Sequence, residues 1–367
     1  MTQIGVGIIG ASPGRSWAAL SHVPALKALP DFDLRAVSTS RRESAEAAAV
    51  AFETTGFDNH EDLLAHPGVD LVVVAVKVPR HEELITAALA AGKMVYSEWP
   101  LGVDARQAAR LAAQARTSGV RTVVGLQGRF SPAIEHAREL VHQGYIGEVL
   151  GTTLEGSGMG WGPDTTASSA YVYDAASGAT TLSVVGMHAL DAVTWVLGDF
   201  SSVGGALAVR RPYVRVADSG EMIPVTAPDH VAISGRLGDG AIASAYFRGG
   251  TSRAGNLRWQ INGTDGDLLI TSGGNLQVAE LALYGARGAE TELVPIAVPT
   301  ESLAGGGALA GNVARLYRQF ADDIMNDTNL APDFAYAVTR HEVLNAIETS
   351  AVTGVAVHPR TDGKFHD

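Results

Sequence analysis

Six consecutive apolar residues, Leu71 to Val76, stand between Asp70 and a helix-patterned segment that runs from Glu82 to Ala91 and closes at Gly92. A strand that is apolar on both faces must be covered on both, and a helix that follows it directly supplies one cover. The unit recurs along the first 125 or so residues. Gln3 to Ile9 is a strand, followed by a loop of small residues and an alanine-rich helix from about Ala18. Leu34 to Ser38 leads to a helix over Glu43 to Phe52, and Met94 to Ser97 to a helix over Val103 to Ser118, with Arg121 to Leu126 as the last strand. Such alternation predicts an α/β fold: an N-terminal Rossmann domain, residues 1–127, with a doubly wound parallel sheet.

Beyond Gln127 the pattern changes to a helix over Pro132 to Gln143. Strand-like stretches broken by glycines follow, at Val149–Leu154, Val203–Val209, His230–Leu237, Ala241–Phe247 and Arg258–Ile261. They predict a C-terminal α+β domain, residues 128–367, with a large open, mainly antiparallel sheet. Gly156 to Ser169 reads as a mobile loop, and Ala304 to Gly311 as a linker before two final helices, Asn312–Asn326 and Ala335–Thr349, placed to return to the first domain. A chain of 367 residues suits two domains sharing a cleft.

Composition narrows the partners. Twenty-seven basic against 39 acidic residues give a net charge of −12, which opposes a phosphate backbone and argues against nucleic acid. No apolar run reaches the roughly 18 residues of a membrane span, and there is no signal-peptide pattern, so a cytoplasmic location is expected. The absence of cysteine excludes disulfides, thiolate zinc sites and a cysteine nucleophile. The scattered histidines lack metal-ligand spacing, so no metal is expected.

Gly5, Gly7 and Gly10 match G-x-G-x-x-G, yet Gly5 and Gly7 fall inside the first strand. A phosphate loop must follow the strand and open the helix, where free N–H groups face a pyrophosphate. The loop is therefore assigned to Gly10-Ala11-Ser12-Pro13-Gly14, with Gly10, Ser12 and Gly14 as cofactor contacts. After the second strand no carboxylate follows to accept ribose hydroxyls; the chain reads Ser38-Thr39-Ser40-Arg41-Arg42. Hydroxyls at Ser38 and Ser40 with two guanidiniums suit a 2′-phosphate, favouring NADP over NAD.

The strings Tyr96-Ser-Glu98-Trp99-Pro100, Gly128-Arg129-Phe130-Ser-Pro132, Gly144-Tyr-Ile-Gly147 and Gly178 to His188 to Asp191 resemble the Gfo/Idh/MocA oxidoreductase family. Within it, Leu126-Gln-Gly-Arg129, Tyr171-x-Tyr173-Asp174, Pro228-Asp229-His230 and Ile261-Asn-Gly-Thr264 resemble the branch that contains the yeast galactose-regulon repressor. The resemblance implies NAD(P), a sugar- or polyol-like ligand, and homo-oligomers formed through the second domain. It also implies cofactor contacts from Val76, Lys77, His81, Glu98, Trp99, Gln127 and Arg129. The family usually has lysine where Trp99 stands and aspartate where Val184 stands, so two of three customary catalytic positions are apolar.

The third, His188, is retained and is a candidate proton shuttle to a sugar hydroxyl, with Asp191 either its orienting partner or a plain surface carboxylate. Lys77, at the carboxyl end of its strand, or Tyr173 is the candidate substitute for the missing lysine. Tyr171, Tyr173 and Asp174 offer polar groups to a polyol, and Trp161 an apolar face. Two readings follow: an NAD(P)-dependent oxidoreductase acting on a sugar-like alcohol or ketone, or a catalytically silent NAD(P)- and sugar-sensing regulator that works through a protein partner.

Overall fold

The computed structural model describes residues 3–14, 16–238, 240–299 and 307–360. The chain divides into two compact units, Met1–Gln127 with Glu301–Val338, and Gly128–Thr300 with Thr339–Asp367. The first begins with β1 (Ile4–Ile9), the short helices α1 (Trp17–Leu20) and α2 (His22–Lys27), β2 (Phe32–Ser38) and α3 (Arg42–Phe52). It continues with β3 (Thr55–Phe57), α4 (His60–Ala65), β4 (Leu71–Val74), α5 (His81–Ala90), β5 (Met94–Glu98), α6 (Ala105–Ser118) and β6 (Thr122–Gly125). The six strands form one parallel sheet in the order β3-β2-β1-β4-β5-β6. Every residue of β4 is buried, as a strand covered on both faces requires.

Helices α1 and α2 replace the single helix expected from Ala18. Pro24 has no N–H to offer the Leu20 carbonyl, and the Ser21 hydroxyl bonds back to the Trp17 carbonyl at 2.7 Å, so the helix breaks at Ser21. The sequence reading also passed over β3 and α4. Asn59, whose side chain accepts from the Asp62 N–H at 2.8 Å, caps α4.

The second unit opens with α7 (Pro132–His142), β7 (Val149–Gly158) and β8 (Asp164–Thr165). A π-helical turn, Thr181–Gly186, runs directly into α8 (Met187–Leu197). Then come β9 (Phe200–Ala208), β10 (Tyr213–Val216), β11 (Met222–Pro224), β12 (His230–Leu237), β13 (Ile242–Gly249), β14 (Leu257–Gly263), β15 (Gly266–Ser272), β16 (Ala282–Arg287) and β17 (Val294–Pro295). Eight strands form one sheet in the order β17-β16-β15-β14-β7-β13-β12-β9, antiparallel except at β7 and β13. A smaller sheet joins β11, β10 and β8.

Alternation sets the two faces of the large sheet. Val231, Ile233, Ala243, Ala245, Leu257 and Trp259 are buried, and Leu190 and Val193 of α8 line a cavity with several of them. The intervening Ala232, Ser234, Ser244 and Tyr246 are exposed. A period of two with one wet face is the signature of a half-covered antiparallel sheet. The expected loop from Gly156 begins later, because Gly156 to Gly158 complete β7.

The last two helices are α9 (Gly307–Asn326) and α10 (Phe334–Thr353). The expected linker over Ala304–Gly311 gives way from Gly307 onward to the first turn of α9; its residues 304–306 lie outside the described ones. In α9, Val313, Leu316, Tyr317 and Phe320 recur at helical spacing on one buried face, and α9 contacts α2 in the first unit.

Candidate functional site

In the first unit the phosphate-loop candidate follows β1 directly. Gly10 has φ +100° and donates its N–H to the Ser38 carbonyl at 2.9 Å; a Cβ on it would lie 2.5 Å from the Ala75 carbonyl oxygen. Gly14 has φ +90° with open space around it. Glycine is required at the first by both dihedral and space, and favoured at the second by dihedral alone. Gly5 and Gly7 serve packing: a Cβ on Gly5 would sit 1.8 Å from the Gly68 carbonyl oxygen, and one on Gly7 2.8 Å from Leu63. Ser16 caps α1 through a 3.2 Å bond from the Ala19 N–H, and its hydroxyl also reaches the Ser12 carbonyl, which braces the loop.

At the end of β2, Ser38 is buried, while Ser40, Arg41 and Arg42 are exposed. Arg42 donates to Glu46 one turn on at 3.0 Å, and this bond raises its pKa further. Arg41 is the N-cap residue of α3, and its carbonyl accepts from Thr39 and Ser44 hydroxyls. The two arginines therefore differ, since Arg42 already has a carboxylate partner.

The carboxyl ends of β4, β5 and β6 carry the other first-unit candidates. Lys77 is exposed and precedes a short 3₁₀ turn, while Val76 is half-buried. His81 is buried, and its Nε2 lies 3.1 Å from the Val76 carbonyl. Burial lowers the His81 pKa, so the neutral ring donates to that carbonyl and pins the turn that carries Lys77. Gln127 is buried at the start of the turn after β6, and its Oε1 has no protein hydrogen-bond partner. Trp99 is buried, and the Trp99–Pro100 peptide is cis.

Glu98, just before Trp99, is fixed by a chain that the sequence reading missed. The Tyr317 hydroxyl lies 2.7 Å from His22 Nδ1, and His22 Nε2 lies 2.9 Å from Glu98 Oε1. Burial, then the Glu98 carboxylate, pushes the phenols of Tyr96 and Tyr317 well above their ordinary pKa. Tyr317 thus stays protonated and donates to His22, which in turn donates Nε2–H to Glu98. The Tyr96 and Tyr317 rings lie 5.0 Å apart, and Tyr96 meets His22 edge-on at the same separation. Glu98 is therefore held in one orientation at the carboxyl edge of the sheet. A loop opened by a positive-φ glycine and an orphaned buried amide oxygen at that edge are a fit for a dinucleotide.

In the second unit, His188 is the second residue of α8 and 4% exposed. The preceding π-turn starts with a reciprocal cap: the Ser183 N–H donates to Thr180 Oγ1 at 3.1 Å, and the Thr180 N–H to Ser183 Oγ at 2.7 Å. Ser183 also donates to the Gly178 carbonyl at 2.6 Å, where Gly178 has φ +72°. Val184 lies on this turn and is half-buried.

Asp191 is 1% exposed, so the expectation of a plain surface carboxylate is corrected. Its two oxygens accept from Arg129 Nε at 2.9 Å and from Arg129 Nη2, a bidentate ion pair with both side chains buried. Arg129, expected at the cofactor, is thus committed to Asp191. Its guanidinium also lies 4.6 Å from the Trp195 ring centre, and Arg138 lies 4.1 Å from that ring.

Tyr171 and Tyr173 share one 3₁₀ turn, and burial raises both phenol pKa values. Tyr173 donates to the carbonyls of Gly162 at 3.1 Å and Gly160 at 3.2 Å, flanking the half-buried Trp161. Its single proton anchors that loop, which leaves Tyr173 a poor replacement for the missing lysine. Asp174 is exposed; it accepts from the Ala176 N–H at 3.0 Å and the Thr226 hydroxyl at 3.1 Å, capping a turn. Among the described residues no cluster of histidine and carboxylate could hold a metal, and no helix is long and apolar enough to cross a membrane.

A Rossmann sheet with a loop of this kind, followed by a unit built on a large open sheet, defines an NAD-binding oxidoreductase fold. Residues 4–126 match the oxidoreductase family with NAD-binding Rossmann fold, Gfo/Idh/MocA, and residues 132–272 match the C-terminal domain of Gal80p. The chain belongs to the Gfo/Idh/MocA family, in the branch with a Gal80-like C-terminal domain. The galactose/lactose metabolism regulatory protein of Kluyveromyces lactis is 31% identical over 77% of this chain and 66% of its own length. The dehydrogenase aclE of Aspergillus oryzae is 29% identical over 98% of this chain and 99% of its own. A super-repressor mutant of Gal80p from Saccharomyces cerevisiae superposes with a TM-score of 0.88 at 25% identity, covering 98% of each chain.

Proposed function

We propose that the protein is an NADP-preferring oxidoreductase that moves a hydride to or from a sugar- or polyol-like alcohol or ketone. The observation that carries this reading is His188, a buried imidazole at the start of α8 behind a capped π-turn. A protein that only sensed a nucleotide would have no need of a proton-transfer group there. Gly10, Ser12 and Gly14 would hold the pyrophosphate, Ser40 and Arg41 the 2′-phosphate, and Glu98, Trp99 and Gln127 the nicotinamide end. The bound nicotinamide supplies or accepts the hydride. His188 exchanges the proton at the reacting hydroxyl, and Lys77 supplies the cation that the family lysine otherwise provides. Trp161, Tyr171 and Asp174 contact the polyol, while Tyr173 positions Trp161. The oligomer forms through the open face of the eight-stranded sheet, where Ile242, Ser244 and Tyr246 are exposed. The decisive measurement is nicotinamide absorbance across a panel of sugars, polyols and ketones with both cofactors.

The second reading, a silent regulator that reports NAD(P) and sugar to a protein partner, is favoured by Trp99 and Val184 at two customary catalytic positions and by the likeness to the Kluyveromyces regulator. Absence of turnover on every member of the panel, with cofactor binding intact, decides for it.

Two binding results are expected. NADPH should bind more tightly than NADH, and Arg41→Ala should reduce NADPH affinity more than Arg42→Ala, because Arg42 has Glu46 as a partner. Titration of each variant with both cofactors checks this; equal affinities of the wild type for the two cofactors rule out the phosphate clamp. Cofactor should also change tryptophan fluorescence through Trp99, and Trp99→Phe should remove most of that change. An unaltered response would place the indole away from the nicotinamide.

A further inference from the structure

Within the second unit, Trp161, Tyr173, Thr181, Arg211, Ala227 and Asp229 line a cavity of ≈ 10 Å³, the volume of one water-sized group. Three polar atoms among them have no protein hydrogen-bond partner: Trp161 Nε1, Thr181 Oγ1 and Asp229 Oδ2. Thr181 is fully buried and Asp229 is 5% exposed, so bulk water does not solvate these groups. The other groups here are committed. Asp229 Oδ1 accepts from the Arg210 N–H at 2.6 Å and lies 3.1 Å from His230 Nδ1, and the Tyr173 hydroxyl donates to the loop carbonyls. Arg211 Nη1 lies 3.9 Å from Asp229 Oδ2, beyond hydrogen-bond reach, and its side chain is about a third exposed at the rim.

The charges select the occupant. Burial pushes the Asp229 carboxyl up, but the Arg210 amide, His230 and Arg211 outweigh burial and hold it below the usual range, so it is ionised at neutral pH. A carboxylate oxygen that lacks a hydrogen-bond donor disfavours an anion beside it. The indole N–H and the Arg211 guanidinium repel a cation from the same space. A neutral oxygen that accepts from Trp161 and donates to Asp229 satisfies both sides, with Thr181 free to do either.

We propose that this cavity is a recognition site for a single hydroxyl oxygen, filled by water in the free protein and by one hydroxyl of a bound polyol. The polyol half rests on the function proposed above; the hydroxyl half does not. Asp229 and Thr181 are thereby specificity-determining residues for polyol binding, and Arg211 guards the entrance.

High-resolution crystal structures without ligand and with D-sorbitol, D-xylose or D-galactose test both halves, together with calorimetric titration of Asp229→Asn and the isosteric Thr181→Val. Expected are a single solvent oxygen within hydrogen-bond distance of Trp161 Nε1 and Asp229 Oδ2, its replacement by a ligand hydroxyl, and at least about tenfold weaker binding in both variants. Asp229 Oδ2 paired directly with Arg211, with no oxygen between the three atoms, overturns the site. So do variants that bind the polyol as tightly as the wild type, a result that leaves the polyol function standing. If none of the three binds while the solvent oxygen is present, the polyol half falls and the hydroxyl site stands.

Discussion

His188→Ala is expected to lower turnover by about 10²- to 10⁴-fold while the dissociation constant for cofactor stays nearly unchanged. His188 belongs to the second unit, whereas the proposed phosphate and ribose contacts all belong to the first, so the loss should fall on the chemical step. Single-turnover rates measured beside a cofactor titration separate the two effects. A change below about threefold in the chemical step means that another group moves the proton. Lys77→Met is the companion, because methionine keeps much of the aliphatic stem and deletes the charge. If the ammonium replaces the family lysine, this variant loses turnover too; if it keeps turnover, the oxyanion is stabilised by some other donor.

The second large effect is on stability. Asp191→Ala should cost about 3–5 kcal/mol, because it removes the bidentate carboxylate from the buried Arg129 guanidinium. In a unit of this size that corresponds to a fall in Tm of roughly 6–20 °C. The double variant Arg129→Met, Asp191→Leu should recover most of the loss, since removing both charges also removes their desolvation cost. Thermal melts of the single and double variants decide it. If the double variant melts as low as the single one, the pair itself contributes net stability or fixes the packing around Trp195.

How far the sequence reached can be judged from these same residues. Five of the six Rossmann strands were legible because their apolar runs are continuous, whereas β3, only Thr55–Phe57 and not fully buried, carries no such run. The open sheet was legible as far as Ile261. β15 and β16 went unseen because glycines and charges, Gly266-Asp267 and Gly285-Ala-Arg287, interrupt their alternation. The Arg129–Asp191 pair spans 62 residues and the Glu98–His22 contact 76, and no local period encodes either. His22 could have been found only by asking why a histidine stands on the buried side of the helix after the phosphate loop. Tyr173 was singled out for its hydroxyl, but only the fold shows that its proton is committed to Gly160 and Gly162.

The bond between His22 and Tyr317 also sets a timetable for synthesis. These residues are 295 positions apart. At about 5–20 residues per second, roughly 15–60 s separate the emergence of one from that of the other. Through that interval β1 to β6 can pair, but the surface of Phe32, Tyr96 and His22 that receives α9 remains uncovered, and Glu98 lacks the brace that Tyr317 gives to His22. The nucleotide-binding unit, although its sheet is translated first, is therefore completed only after β7 to β17 of the second unit have been made. A fragment ending at Gln127 should aggregate through that uncovered surface, whereas adding the α9 segment in trans should rescue it.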